Sequence, residues 1–328
     1  MDLMTIGMLV GGLLFLIVGG ELLVRGTSSL AAIAGISPLV IGLTVVAFGT
    51  SSPELAVSLQ AGLSGNSDIA VGNVVGSNIF NVLFILGACA LLAPLVVSTQ
   101  LIRREVPILI GISLLFGALA LDGRIGLLDG ALLFAGIVGY TGYSIIASRR
   151  ETAAAKAEYA AEYGEAQLAP KKTPAQIALQ LGYVVGTSII ATLRKERDIA
   201  IGNVVGSNIF NILGILGISA LVTPGGLEVA PSIVNFDLPV MIAVALACLP
   251  IFFTGFSIAR WEGGLFLGYY VAYTAYLVLA ATQHDALPAF SNAMLLAVLP
   301  LTAVTLVVLG AKAFVDNRRP RRGAGAAD

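Results

Sequence analysis

The chain has 328 residues, 57% of them apolar and 11% charged, with a mean hydropathy of +0.95 and a formal net charge of −1. A soluble globular domain carries roughly 25% charged residues, so this composition excludes an ordinary water-soluble domain and fits a polytopic membrane protein in a lipid bilayer. The near-zero charge gives no basis for a nucleic-acid partner.

A helical span needs about 20 apolar residues. In chain order the predicted spans are about 4–24, 30–60, 69–94, 106–121, 125–147, 199–222, 236–255, 262–282 and 291–313, with one further apolar stretch at 174–193. The first has no basic region before it and reads as a retained span rather than a cleaved signal. Lys and Arg gather in alternate loops: Arg25, Arg103 with Arg104, the run from Arg149 to Lys172, Arg260, and the tail from Arg318 to Arg322. The loops 64–67, 223–235 and 283–290 have none, and Arg124 is the exception. Cytoplasmic loops carry the positive charge, so the expectation is an outside N-terminus and a cytoplasmic C-terminus, in a bacterial plasma (inner) membrane.

The second predicted span holds the run Ala47-Phe48-Gly49-Thr50-Ser51-Ser52-Pro53-Glu54. A carboxylate in mid-span is costly and usually functional. Thr50 and Ser51 stand four and three residues before Glu54, on the same helix face. Pro53 has no N–H for the carbonyl of Gly49, which predicts a break there. Hydroxyls, one carboxylate and loosened carbonyls are the ligands of hard cations.

The third span begins a repeat. Residues 68–91 and 198–221 are identical at 19 of 24 positions at a constant offset of 130. Each copy contains Gly-Asn-Val-Val-Gly-Ser-Asn-Ile-Phe-Asn. Asn73, Ser77 and Asn81, like Asn203, Ser207 and Asn211, recur every four residues, a polar stripe on an apolar helix. The glycines four apart read as packing positions. Asn73, Asn78, Asn203 and Asn208 read equally as structural amides or as ligands. The correspondence extends to Glu105-Val106-Pro107 with Asp237-Leu238-Pro239, Asp129-Gly130 with Glu262-Gly263, and Tyr140 to Tyr143 with Tyr273 to Tyr276. The loop charges run the two copies in opposite directions, so inverted-topology repeats with a midplane site are expected. The stretch 149–172 reads as a solvated linker. Cys89 and Cys248 read as buried thiols, and His284, the only histidine, as solvated.

Gly-Thr-Ser-Ser-Pro-Glu at 49–54, followed by the paired Gly-Asn-Val-Val-Gly-Ser-Asn-Ile-Phe-Asn motifs, resembles the sodium/calcium exchanger family, prokaryotic members above all. The resemblance implies an all-α polytopic membrane protein of two inverted-topology repeats of about five transmembrane helices, here with an extra C-terminal helix. It implies exchange of Ca²⁺ for Na⁺, or H⁺ in some branches, by alternating access, with no cofactor and no enzymatic step. It implies a cation site from Ala47, Thr50, Ser51, Glu54, Ser77 and Asn81 in the first half and Ser207 and Asn211 in the second. The segments become 1–148 as the first repeat, 149–173 as a cytoplasmic linker, 174–283 as the second repeat and 284–328 as the extra helix with a basic tail.

The chain departs from that family pattern in two respects. A second Gly-Thr-Ser-x-Pro-Glu is expected before the second copy, and the sequence there is Leu-Gln-Leu-Gly-Tyr-Val-Val-Gly-Thr-Ser-Ile-Ile-Ala-Thr-Leu, without an acid. The offset of 130 sets Val184 opposite Glu54. Basic residues flank 174–193 on both sides, which fits two crossings or none, and about 20 residues supply one. The second repeat is therefore expected to lack most of a helix hairpin. Both copies also end in Asn, at Asn81 and Asn211, where some members carry Asp. One carboxylate is a weak match to Ca²⁺, so the expectation is an antiporter impaired by this loss, or a binding-only paralogue that does not transport. The sequence has no intramembrane His, paired Asp motif or Ser–Lys dyad for an intramembrane enzyme, and it is silent on oligomeric state.

Overall fold

The computed structural model describes residues 38–149, 197–305 and 307–308, together with Gly11. The predicted span 4–24, the linker and the stretch 174–193 lie outside the described residues, so the deficit expected at 174–193 is judged from sequence alone.

Every predicted span within the described residues is helical. Among the described residues seven helices are long and apolar enough to cross a membrane: α3 (Ser67–Leu92), α4 (Leu101–Asp122), α5 (Leu127–Ser148), α6 (Ile201–Val222), α7 (Ile233–Phe253), α8 (Arg260–Ala281) and α9 (Leu287–Thr305). They are preceded by a bent pair, α1 (Leu39–Thr50) and α2 (Ser52–Leu63), which meet at 46°. The bend falls at Ser51, whose backbone (φ −93°, ψ 2°) leaves the helical range. Pro53, in the first turn of α2, cannot donate to a carbonyl of α1, so the ladder is cut at the predicted place.

The helices are not uniform. Widened π-helical turns occupy Asn81–Leu86 and Asn211–Leu216, at the same register in both copies. Another pair occupies Leu101–Glu105 and Ile233–Asp237. There the N–H of Val106 reaches Leu101 O and that of Leu238 reaches Ile233 O, five residues back. Pro107 and Pro239 follow immediately and have no N–H, so the preceding turn loosens.

The core sits where α3 and α6 meet, wrapped by elements from the other half of the chain. α1 lies along α6, α5 packs on the end of α6, and α8 packs on the end of α3. Glycines permit these approaches. A Cβ on Gly206 would sit 2.5 Å from Leu43 Cα, one on Gly217 2.8 Å from Phe134 N, and one on Gly87 3.0 Å from Gly263 O. Two short antiparallel pairs staple the loops. β1 (Leu95–Val96) after α3 pairs with β4 (Ser257–Ile258) after α7. β2 (Arg124–Ile125) after α4 pairs with β3 (Leu227–Glu228) after α6.

The carboxylates near span ends have local duties. Asp129 Oδ2 accepts the N–H of Gly126 at 2.8 Å, and Glu262 Oε2 that of Ala259 at 2.7 Å, so both cap their own helices. Cys89 and Cys248 are buried free thiols as expected. His284 is exposed and accepts the N–H of Ala286 at Nδ1.

Candidate cation site

The break at Ser51 turns one span into two half-helices. It places the end of α1, with its carbonyls, beside the start of α2, where Glu54 stands in the first turn. Half-helix ends of this kind supply carbonyl ligands to cations inside membranes. The hydrophobic neighbours of α1 bring that end against the polar stripe of α6.

Thr50 is the meeting point. Its Oγ1 lies 3.0 Å from Val46 O, 3.2 Å from Ala47 O, 2.9 Å from Asn203 Oδ1 and 3.0 Å from Ser207 Oγ. Ser207 Oγ is also 3.3 Å from Asn203 Oδ1. Two hydroxyl protons therefore serve five oxygen–oxygen contacts, and several lone pairs face one another. A hard cation relieves that arrangement. The carbonyl of Ala47 also accepts the N–H of Ser51 at 3.0 Å.

Glu54 completes this side. Its Oε2 is buried and has no hydrogen-bond partner. Its own backbone carbonyl accepts Asn73 Nδ2 at 3.0 Å, and Asn73 also donates to Ser58 Oγ at 2.9 Å. Asn73 thus takes the structural role, fixing α2 on α3. Ser51 is buried beside Glu54 at the break. Among the described residues no three His, Cys, Asp or Glu side chains gather at one point.

At the crossing of α3 and α6 four asparagines interlock. Asn78 Nδ2 donates to Asn208 O at 3.4 Å, and Asn208 Nδ2 to Asn78 O at 3.2 Å. Asn81 Nδ2 donates to Asn208 Oδ1, and Asn211 Nδ2 to Asn78 Oδ1, each at 2.9 Å. The pairs are reciprocal under the 130-residue offset. Asn211 is fully buried, and its Oδ1 has no partner. Buried polar atoms are almost always paired; among the described residues five buried side-chain oxygens are not, on Glu54, Ser144, Asn211, Ser219 and Thr223, and of these Glu54 and Asn211 carry a carboxylate and a carboxamide oxygen. The segment α2 packs against the start of this π-turn, so the orphans on Glu54 and Asn211 belong to adjoining elements.

Of the expected site residues, Thr50 meets Ser207 and the carbonyl of Ala47, Ser51 and Glu54 follow at the break, and Asn211 lies on the π-turn against which α2 packs. Ser77 and Asn81 lie on α3 and are half-exposed; Asn81 joins through the asparagine network, whereas the Ser77 hydroxyl makes no hydrogen bond among the described residues. Sequence reasoning did not see Asn203 as the acceptor between Thr50 and Ser207, though its place four residues before Ser207 was the available signal. It also gave no role to a second pattern. Tyr140 donates to the buried Glu105 Oε2 at 2.9 Å, and Tyr273 to Asp237 Oδ1 at 2.8 Å, the same couple in both halves.

Comparison with known proteins follows this geometry. The family model described as "Sodium/calcium exchanger protein" matches residues 4–146 and 185–279. The chain belongs to the sodium/calcium exchanger family. It is 35% identical to a putative antiporter CaxA of Alkalimonas amylolytica over 285 residues, covering 75% of this chain and 88% of the relative. It is 32% identical to the sodium/calcium exchanger MaX1 of Methanosarcina acetivorans over 338 residues, covering 81% and 96%. A solved structure of the sodium-calcium exchanger NCX_Mj superposes with a TM-score of 0.63 at 25% identity, covering 84% of this chain and 100% of that one. The chain is thus an integral membrane protein with the all-helical fold of that family. In the first half the family match starts at residue 4, 64 residues before Asp68, and in the second at residue 185, 13 before Asp198. Because 75% of 328 residues is about 246, about 39 of the 285 positions aligned with CaxA meet no residue of this chain.

Proposed function

We propose that this protein is a secondary active cation antiporter whose transported ion sits between Glu54, Thr50, Ser207 and Asn211, with Ala47 and Ser51 at the break and Ser77 and Asn81 across α3. The observation that carries this reading is the pair of buried orphan oxygens, Glu54 Oε2 and Asn211 Oδ1. Family membership favours exchange of Ca²⁺ for Na⁺ over H⁺ as the driving ion. Alternating access would rock one repeat against the other around the fixed site.

The strand pairings support inverted repeats. If the halves were parallel, the loop after α3 would share a side with the loop after its copy, α6. Instead the loop after α3 pairs with the loop after α7, and the loop after α6 with the loop after α4. Equivalent loops lie at opposite ends of the molecule. Arg260 donates to Leu92 O at 3.3 Å, which gathers it with the end of the molecule where α4 begins with Arg103 and Arg104, and favours that side as cytoplasmic.

The site carries one clear carboxylate, and the sequence at 174–193 adds none. Ca²⁺ affinity follows ligand charge count, so Ca²⁺ binding is weak and exchange is slower than in two-acid relatives. The shortened second repeat, supported by the late start of the family match and the unmatched aligned positions, is also what favours a second reading: a paralogue that binds cations without transporting them. Proteoliposomes with an outward Na⁺ gradient separate the two. The expected result is Ca²⁺ uptake that saturates only at high Ca²⁺ and is lost in Glu54→Gln. Uptake driven by a pH gradient alone would assign H⁺ instead of Na⁺. Cation binding to purified protein with no flux under either gradient would overturn antiport and leave the binding-only reading. Tight, family-like exchange would overturn the weak-binding claim.

A further inference from the structure

Asn78 and Asn208 stand outside the proposed cation-lining set, and each touches it through one amide. Their orientations follow from elementary donor and acceptor chemistry. A backbone carbonyl only accepts, so the atom of Asn78 facing Asn208 O is its NH₂, and the atom of Asn208 facing Asn78 O is likewise its NH₂. This leaves Oδ1 of Asn78 facing Asn211 and Oδ1 of Asn208 facing Asn81. An acceptor requires a donor opposite, so Asn211 and Asn81 must present Nδ2 there. Their own Oδ1 atoms are left over. In Asn211 that oxygen is buried without a partner. Both asparagines of each bond sit on helices tied by close packing, so the orientation is held by backbone rather than by a free rotor.

We propose that Asn78 and Asn208 are positioning residues that lock the carboxamides of Asn211 and Asn81 with their oxygens available to the cation, and that this clasp keeps both positions neutral. The inference rests on the cation-site reading above and goes beyond it. A carboxylate at 211 has no N–H for Asn78 Oδ1 and would set oxygen against oxygen in a buried place. The clasp therefore favours a neutral donor, here Asn, at the end of both motif copies. It holds the charge of the site at that of Glu54 and so biases the site toward a monovalent cation.

Equilibrium binding of ²²Na⁺ to the full chain in detergent tests this with a double-mutant cycle. Asn211→Ala is expected to weaken binding at least about tenfold, and Asn78→Leu by nearly as much, in the range of about 10–100-fold seen when an outer-shell partner of a metal ligand is lost. The double variant is expected to be no weaker than Asn211→Ala, because Asn78 acts only through Asn211. Asn78→Asp keeps an acceptor for Asn211 Nδ2 but sets a carboxylate oxygen against Asn208 O, so it is expected to bind less tightly than the parent and distinctly more tightly than Asn78→Leu. A merely structural role predicts instead that Asp and Leu weaken binding alike and that the losses in the double variant add. Either of those results, or unchanged binding in Asn78→Leu, would overturn the proposal. Unchanged binding in Asn211→Ala would overturn the site reading itself, and the positioning role with it. If Asn78→Leu does not fold, Asn208→Leu with Asn81→Ala runs the same cycle through the reciprocal bond.

Discussion

The two copies of the repeated helix share 19 of 24 residues, yet they live in different surroundings. In α6 Asn203, Ser207, Asn208 and Asn211 are all buried, whereas in α3 only Asn78 of the matching four is. The most apolar window of α6 is 89% buried, and that of α3 is 61% buried. The difference comes from what lies across each stripe. α1 runs along α6 so closely that Gly206 faces Leu43 backbone, while the matching Gly76 has nothing within 4 Å among the described residues. One sequence thus makes an enclosed wall in one half and a half-open face in the other. The lesson is that a repeat specifies a surface, and the partner elements decide whether that surface becomes a site.

The largest effect that would break this comparison concerns the one acid. If Glu54 alone carries the charge of the site, Glu54→Gln should weaken Na⁺ and Ca²⁺ binding by about 100-fold or more, beyond the about 10–100-fold of a lost outer-shell partner. Isothermal titration checks it, and retained binding would mean that the charge comes from elsewhere.

Next come the hydroxyls. Ser207→Ala should cost about tenfold in cation affinity, the equivalent of one hydrogen-bond-sized contribution of about 1–1.5 kcal/mol. Ser77→Ala should cost distinctly less, because Ser77 has no hydrogen bond among the described residues. Equal losses would show that both faces serve the ion alike.

Packing gives a third test. Gly206→Ala should destabilise the protein by about 1–3 kcal/mol through overpacking against Leu43, seen as a lower unfolding temperature in detergent. Gly76→Ala should be neutral or stabilising by up to about 1 kcal/mol, as Ala is the better helix former. A reversed order would contradict the packing described for the two helices.

The last test, away from the ion site, lies in the carboxylate–tyrosine couples. Tyr140→Phe leaves Glu105, which is 1% exposed, without its closest donor and should cost about 1–3 kcal/mol. Tyr273→Phe should cost less, because Asp237 is half-exposed and water can replace the phenol. Thermal unfolding of the pair would sharpen how far the two halves differ away from the ion site.

Much of the fold was legible in the sequence. Each predicted span inside the described residues is a helix, because an unsatisfied backbone is too costly in lipid to permit another structure. The break after Thr50 was legible from Pro53, since a missing N–H is a local fact. Glu54 and the polar stripes were legible because polar groups in an apolar span stand out against their neighbours. The strand staples were not, being only two residues long each and paired across more than 100 positions. The roles of Asp129 and Glu262 as caps were also missed, as a capping bond depends on the turn that precedes the helix.

The sequence by itself determined the membrane class, the duplication, the site residue types and the charge of the acidic motif, all of which depend on composition and local spacing. Only the tertiary structure decided which asparagine pairs with which. The sequence presents Asn73, Asn78 and Asn81 as near equals, and likewise Asn203, Asn208 and Asn211. Their surroundings separate once the helices cross, because a carboxamide has two distinct ends and the carbonyl or amide facing it across the crossing fixes which end is used there.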